Sequence, residues 1–170
     1  LVPLTLPQED ALFRSLSGVA TEVVARCGKA AFREAALFTH RGLSGPAILQ
    51  VSSYWRHRDT IGIDFLPDQG AGWLIEAKRT RPRAGLRAVL STALPDRLAE
   101  ALAERLAVVG ELGNQRDATL RDAEQRLGDW HFVPNGSEGY AKAEVTVGGI
   151  ATEGLSSRTM EARHLPGLHV

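Results

Sequence analysis

The sequence predicts an α+β chain: a small antiparallel β-barrel or sandwich-like domain, residues 1–70 and 131–170, interrupted by a helical subdomain over 71–130. Three observations carry this. Short β-branched or alternating runs crowd both ends of the chain. Between them, apolar residues recur at helical spacing. The 170 residues, 44% of them hydrophobic and 24% charged, are ordinary for a globular protein, and a chain of this size buries roughly 70% of its unfolded surface without staples.

The elements follow in order. Residues 1–6 alternate weakly, and residues 19–25, VATEVVA, form a short β-branched run. Residues 30–39 make a second strand candidate, interrupted by Arg33 and Glu34. The flexible turn Gly42-Leu43-Ser44-Gly45 follows, and Pro46 stands at the first helical position with Ser44 as a possible cap. Ile48, Val51 and Trp55 then share one helix face. In residues 60–66, Ile61, Ile63 and Phe65 alternate against Gly62 and Asp64, as in a half-buried strand.

Within 71–130, Leu86, Val89, Leu90, Ala93 and Leu94 make one apolar stripe, which Pro95 ends. Asp96 can cap a second helix carrying Leu98, Ala101, Leu102, Arg105 and Leu106 on one side. After Gly110, Gly113 and Asn114, a third helix from about Arg116 carries Leu120, Ala123 and Leu127. Strand signals return at His131-Phe132-Val133. In residues 140–147, YAKAEVTV, Ala141, Ala143, Val145 and Val147 oppose Lys142, Glu144 and Thr146. Gly148 and Gly149 break that run.

Twenty basic residues balance twenty acidic ones, so no global field steers the chain onto nucleic acid or anionic lipid. No apolar run reaches the ~18 residues of a membrane span. A single cysteine, Cys27, rules out an internal disulfide framework and points to a reducing, cytoplasmic compartment. The five histidines show no metal-binding spacing, so no metal site is expected. The chain opens on Leu1-Val2-Pro3-Leu4 and closes on a strand-like start, and both ends read as cut from something longer.

Four stretches are candidates for chemistry. At residues 39–46, a strand, a glycine-bearing turn and a helix start can present backbone amides to an anion or a carbonyl oxygen, with His40 as a proton donor. On pattern alone a tight strand-to-helix connection is the better reading, because the spacing matches neither GxGxxG nor a phosphate loop. Gly148-Gly149 at a strand end admits either a flat ligand or a sharp turn. The basic run Lys78, Arg79, Arg81, Arg83 and Arg87 can contact phosphates, although no aromatics interleave and a solvated connection is favoured. Cys27 has Arg26 and Lys29 beside it, which lower a thiol pKa when close, and a structural cysteine is the simpler assignment.

The stretches LFTHRGLSGPAILQVSSYW and GYAKAEVTVGGIATEGLSSRTMEARHLPGLHV together resemble the BaiN/YhiN-like flavoproteins, NAD(P)/FAD-dependent oxidoreductases of the two-dinucleotide-binding-domain type. The resemblance covers nearly the whole chain in order. It implies the insert domain of a bacterial-type oxidoreductase, lying over the flavin on the substrate side, with the glycine-rich FAD-binding part outside these residues. It also implies that this chain alone binds no FAD tightly and is inactive. In the full-length protein, Thr39, Gly42, Ser44, Gly45, Thr146, Gly148 and Gly149 would face FAD or substrate, followed by Thr159 and Met160. His40 is the catalytic candidate, and NAD(P)H is a possible reductant. The implied partners are the rest of the same flavoprotein and a small-molecule substrate. The competing reading is a binding module that uses the helical insert and the 78–87 run to hold nucleic acid or protein; nucleic acid is the less favoured partner.

Overall fold

A computed structural model describes all residues, 1–170. Seven strands form one sheet: β1 (Leu4–Thr5), β2 (Ala20–Cys27), β3 (Ala30–Phe38), β4 (Gly42–Ser44), β5 (Ile61–Asp64), β6 (Trp130–Phe132) and β7 (Gly136–Ser137). Their order is β6-β5-β2-β3-β4-β1-β7, and every pairing is antiparallel. The frame is the β2–β3 hairpin, paired from Ala20↔Leu37 to Cys27↔Ala30. Gly28 opens its two-residue turn at φ 57°, a conformation that favours glycine. Val23, Ala25 and Cys27 of β2 alternate into the core, as do Ala36 and Phe38 at the other end of the hairpin on β3.

The outermost strands, β6 and β7, are neighbours in the chain, separated only by residues 133–135. The sheet therefore curls until its two edges almost meet. It is not a closed barrel, because no ladder joins β6 to β7. These strands have three and two residues, and Pro134 between them has no N–H to donate. Asn135 instead donates its amide to Thr5 O at 3.0 Å.

Six helices fill and cover the curl: α1 (Ala11–Arg14), α2 (Pro46–Ser52), α3 (Trp73–Thr80), α4 (Leu86–Leu90), α5 (Asp96–Leu106) and α6 (Asp117–Gly128). The stripes read from the sequence point inward: Leu98, Ala101, Leu102 and Leu106 of α5, and Leu120, Ala123 and Leu127 of α6, are all buried. Ala93, at the end of the α4 stripe, is exposed because the helix stops at Leu90. One cluster of 35 buried residues runs from the sheet into the helices. Phe13 of α1 sits at its centre, 4.9 Å edge-to-face from Phe132 and 6.0 Å from Phe38. No polar or charged residue is fully buried.

Three local expectations change. Residues 42–44 are a strand, not a flexible turn, since β1 and β3 lie on either side of them. Neither Ser44 nor Asp96 caps a helix: Gly45 and Pro95 hold the cap positions, without side-chain cap bonds. Residues 140–147 alternate as a strand should but form none, because no partner strand lies beside them. Lys142 N and Ala143 N make turn bonds to Gly139 O and Tyr140 O, and the segment's bonds to the rest of the chain are Glu144 N to Leu1 O and the Leu1 ammonium to Val145 O.

Candidate functional site

The first part of the turn, residues 39–42, bonds to itself. Thr39 Oγ1 accepts from Arg41 N at 3.2 Å and from Gly42 N at 3.0 Å. Thr39 and Gly42 also exchange backbone bonds. Gly42 packs so closely on β1 that a Cβ there would overlap Leu4 O and Leu6 N. Gly45, at φ 87°, would place a Cβ 2.8 Å from Ala35 O and Leu37 N. Both glycines are thus accounted for by strand-to-strand approach. α2 is two turns long and offers little dipole. The His40 ring is exposed and makes no hydrogen bond, although its carbonyl accepts from Arg14 Nε at 3.1 Å.

The other predicted residues lie elsewhere. Thr146, Gly148 and Gly149 are exposed in an irregular segment, and nothing stands within 4 Å of a Cβ at either glycine. Ala143, Val145, Thr146 and Val147 border a cavity of about 280 Å³ with Leu1, Val2, Ser52 and Ser53. That cavity meets the C-terminal end of α2, whereas Gly45 begins α2, so the two groups flank one helix from opposite ends. Thr159 and Met160 belong to a third place, a small loop in which Thr159 O meets His169 Nδ1 at 3.0 Å. No hydrogen bond connects the three groups.

A fourth place escaped sequence reading. Asp10, Arg105, Arg126, Asp129, Trp130 and His131 line a polar cavity of about 370 Å³ where α5 and α6 meet the sheet. His131 Nε2 lies 2.9 Å from Asp129 Oδ2. The Arg126 guanidinium lies 5.6 Å from the Trp130 ring centroid, within cation–π reach. Arg105 and Asp10 are 3.5 Å apart. Burial pushes the Asp10 carboxyl above its ordinary range, against the pull of Arg105 and with a small push from Glu9. Two guanidiniums and an imidazole can hold an anionic oxygen, but each already has a carboxylate: Asp10 for Arg105, Asp129 for His131 and Asp122 for Arg126. The only local sequence signal was Asp129-Trp130-His131 at a helix-to-strand junction; the rest converge from distant segments.

The Cys27 thiol is buried. Burial raises its pKa, Asp59 raises it further, and Arg56 opposes; neither Arg26 nor Lys29 activates it, in keeping with the structural assignment. No three His, Cys, Asp or Glu side chains gather closely enough to hold a metal ion. No helix is long and apolar enough to cross a membrane.

Comparison with known proteins adds a lineage to this geometry. The family described as "HI0933-like protein barrel and H2TH domain" matches residues 1–145. A ribosomal RNA dihydrouridine synthase of Escherichia coli (strain K12) is 44% identical over 181 residues, covering 99% of this chain and 43% of that protein. A ribosomal RNA dihydrouridine synthase of Haemophilus influenzae (strain ATCC 51907 / DSM 11121 / KW20 / Rd) is 39% identical over 173 residues, with the same coverages. The chain spans less than half the length of these curated relatives.

Proposed function

The chain belongs to the HI0933-like family, and from that premise we propose that it is the substrate-side segment of a longer flavin-dependent reductase acting on uridines of ribosomal RNA. The observation that carries this reading is the pair of relatives, 44% and 39% identical across 99% of the chain, both named for that reaction. Making dihydrouridine adds two hydrogens across the C5–C6 double bond of uracil. Such a reduction calls for a hydride-carrying cofactor, which agrees with the resemblance to BaiN/YhiN-like flavoproteins and leaves NAD(P)H as the upstream reductant. In this reading the enzyme is cytoplasmic, as a bacterial enzyme of ribosomal RNA must be.

FAD does not fit these 170 residues alone. The amides of Thr39, Arg41 and Gly42 are taken within the turn, Gly42 and Gly45 are crowded by neighbouring backbone, and the other candidates stand apart from it. We therefore assign FAD binding to the remainder of the polypeptide, which is also the partner of this insert. Thr39, Gly42, Ser44, Gly45, Thr146, Gly148, Gly149, Thr159 and Met160 then form walls that face the flavin or the uracil only in the full-length protein. In this reading residues 71–130 are a helical subdomain inserted into the strand-rich part.

The test uses the full-length protein with FAD, NAD(P)H and ribosomal RNA transcribed without modification. Mass spectrometry is expected to find a uridine carrying two extra hydrogens. RNA that stays unchanged under both nicotinamides would overturn the substrate. FAD added to the isolated 170 residues is expected not to bind tightly, and stoichiometric binding would overturn the assignment of the cofactor half. His40 has a free imidazole on the flavin-facing candidate turn. If it supplies the proton, full-length His40→Ala should lose about 100-fold or more in rate; an unchanged rate would leave His40 a surface residue.

The runner-up reading, a nucleic-acid module built on the helices, is no longer separate. A reductase that modifies ribosomal RNA must also hold it.

A further inference from the structure

We propose that the edge where the C-terminal half of α3, residues 81–83 and the start of α6 meet is the surface that holds the phosphate backbone of the ribosomal RNA. This rests on the RNA-reductase reading and names where that reading places the substrate outside the reacting base.

The basic run of the sequence does not survive intact. Arg87 leaves it, turning on α4 toward Glu100 at 3.4 Å. Two residues distant in sequence, Arg116 and Arg121, join it. Lys78 Nζ donates to Gln115 O at 2.8 Å and pairs with Asp117 at 2.8 Å, which fixes α3 to the start of α6. Gly113 N donates to Pro82 O at 2.7 Å, which presses residues 81–83 against the loop before α6. Lys78, Arg79, Arg81, Arg83, Arg116 and Arg121 thus share one edge.

Cations outnumber acids on this edge. The chain as a whole carries 20 basic and 20 acidic residues. Among the six cations, Lys78 pairs with Asp117 and Arg79 with Glu76. Arg81, Arg83, Arg116 and Arg121 are exposed and make no ion pair or side-chain hydrogen bond. Two further acids stand nearby. Glu111 lies in the loop before α6, and Glu124 is already bound to the amides of Gly72 and Leu74. The Asp117 carboxyl is held below its ordinary range, first by its bond and charge pairing with Lys78, then by Arg121 and Arg79. Four unpaired guanidiniums beside a locally positive field suit a polyanion with regularly spaced phosphates. Base identity is not read by such contacts, so this surface positions the RNA and leaves choice of the uridine to the reductive site.

The experiment uses the full-length protein and transcribed ribosomal RNA fragments. Arg81→Ala, Arg83→Ala and Arg116→Ala are combined, and binding is measured across a salt series. Losing three phosphate contacts should weaken binding at least tenfold and flatten the slope of log K against log salt by about 2 to 3. Dihydrouridine formation should fall through KM with kcat retained, since no altered residue belongs to the reductive site. The melting temperature should hold, because all three side chains are exposed and unpaired. Arg87→Ala, from the same sequence run but off the edge, should bind as wild type does. Wild-type affinity and slope in the triple variant would overturn this surface while the RNA reading stands. Failure of the unaltered protein to bind or modify the RNA would overturn both.

Discussion

Gly45 shows how a residue's role is set by what lies opposite it. In sequence it belongs to a loop that could present amides to a ligand. In the fold its α-carbon faces β3 so closely that a Cβ would sit 2.8 Å from Ala35 O and Leu37 N, at a φ of 87° that side chains rarely adopt. Gly45→Ala combines backbone strain with overpacking and should cost about 2–4 kcal/mol, read by urea denaturation. Nothing local in Gly42-Leu43-Ser44-Gly45 could have shown this, because the crowding atoms come from β1 and β3. Cys27 makes the same point with opposite sign. Its basic sequence neighbours suggested activation, yet alternation along β2 turns the thiol into the core. With its pKa raised by burial, the thiolate is scarce near neutral pH. Labelling by a disulfide reagent should be slow in the native protein, rise with pH beyond the range of an exposed cysteine, and become fast on unfolding. Fast native labelling at pH 7 would contradict the buried assignment.

At the scale of elements, periodicity was a good guide wherever an amphipathic face met a core. α5 and α6 were legible because their stripes, Leu98-Ala101-Leu102 and Leu120-Ala123-Leu127, have few alternatives to helix. Residues 140–147 had an equally clean alternation and are not a strand. A strand exists only where another lends it hydrogen bonds, and that condition is not local. The caps show the same limit. α3 has Gly72 at its N-cap position and so no capping side chain of its own. Its first amides are met from α6, where Glu124 accepts from Gly72 N and Leu74 N. A carboxylate there also complements the positive end of α3. Glu124→Ala should cost about 1–2 kcal/mol, and amide exchange should quicken in the first turn of α3 before it does in α5. Uniform exchange across both helices would mean that Glu124 fixes nothing.

Across the whole molecule, the strand-rich and helical parts are separate in sequence yet tied in space. Phe65 N donates to Leu127 O at 3.0 Å where β5 hands over to the end of α6. Arg97 reaches from α5 to the carbonyls of Ser15 and Ser17, and Arg105 reaches to Glu9 O and Asp10. Beneath these bonds, one cluster of 35 residues runs unbroken from Ile63 and Phe132 into Leu98 and Leu120. A helical part that shares its core with the sheet cannot unfold alone without exposing the sheet's apolar surface. Calorimetry should therefore record one transition, with calorimetric and van't Hoff enthalpies equal. Arg97→Ala with Arg105→Ala removes polar ties but leaves the apolar seam, so it should lower the melting temperature by a few degrees while the single transition persists. Two transitions in the unaltered chain would show that residues 71–130 fold on their own. In that case the basic edge on α3 and α6 could move relative to the curled sheet, and the RNA backbone it holds would no longer be fixed in register with the candidate turn at residues 39–45.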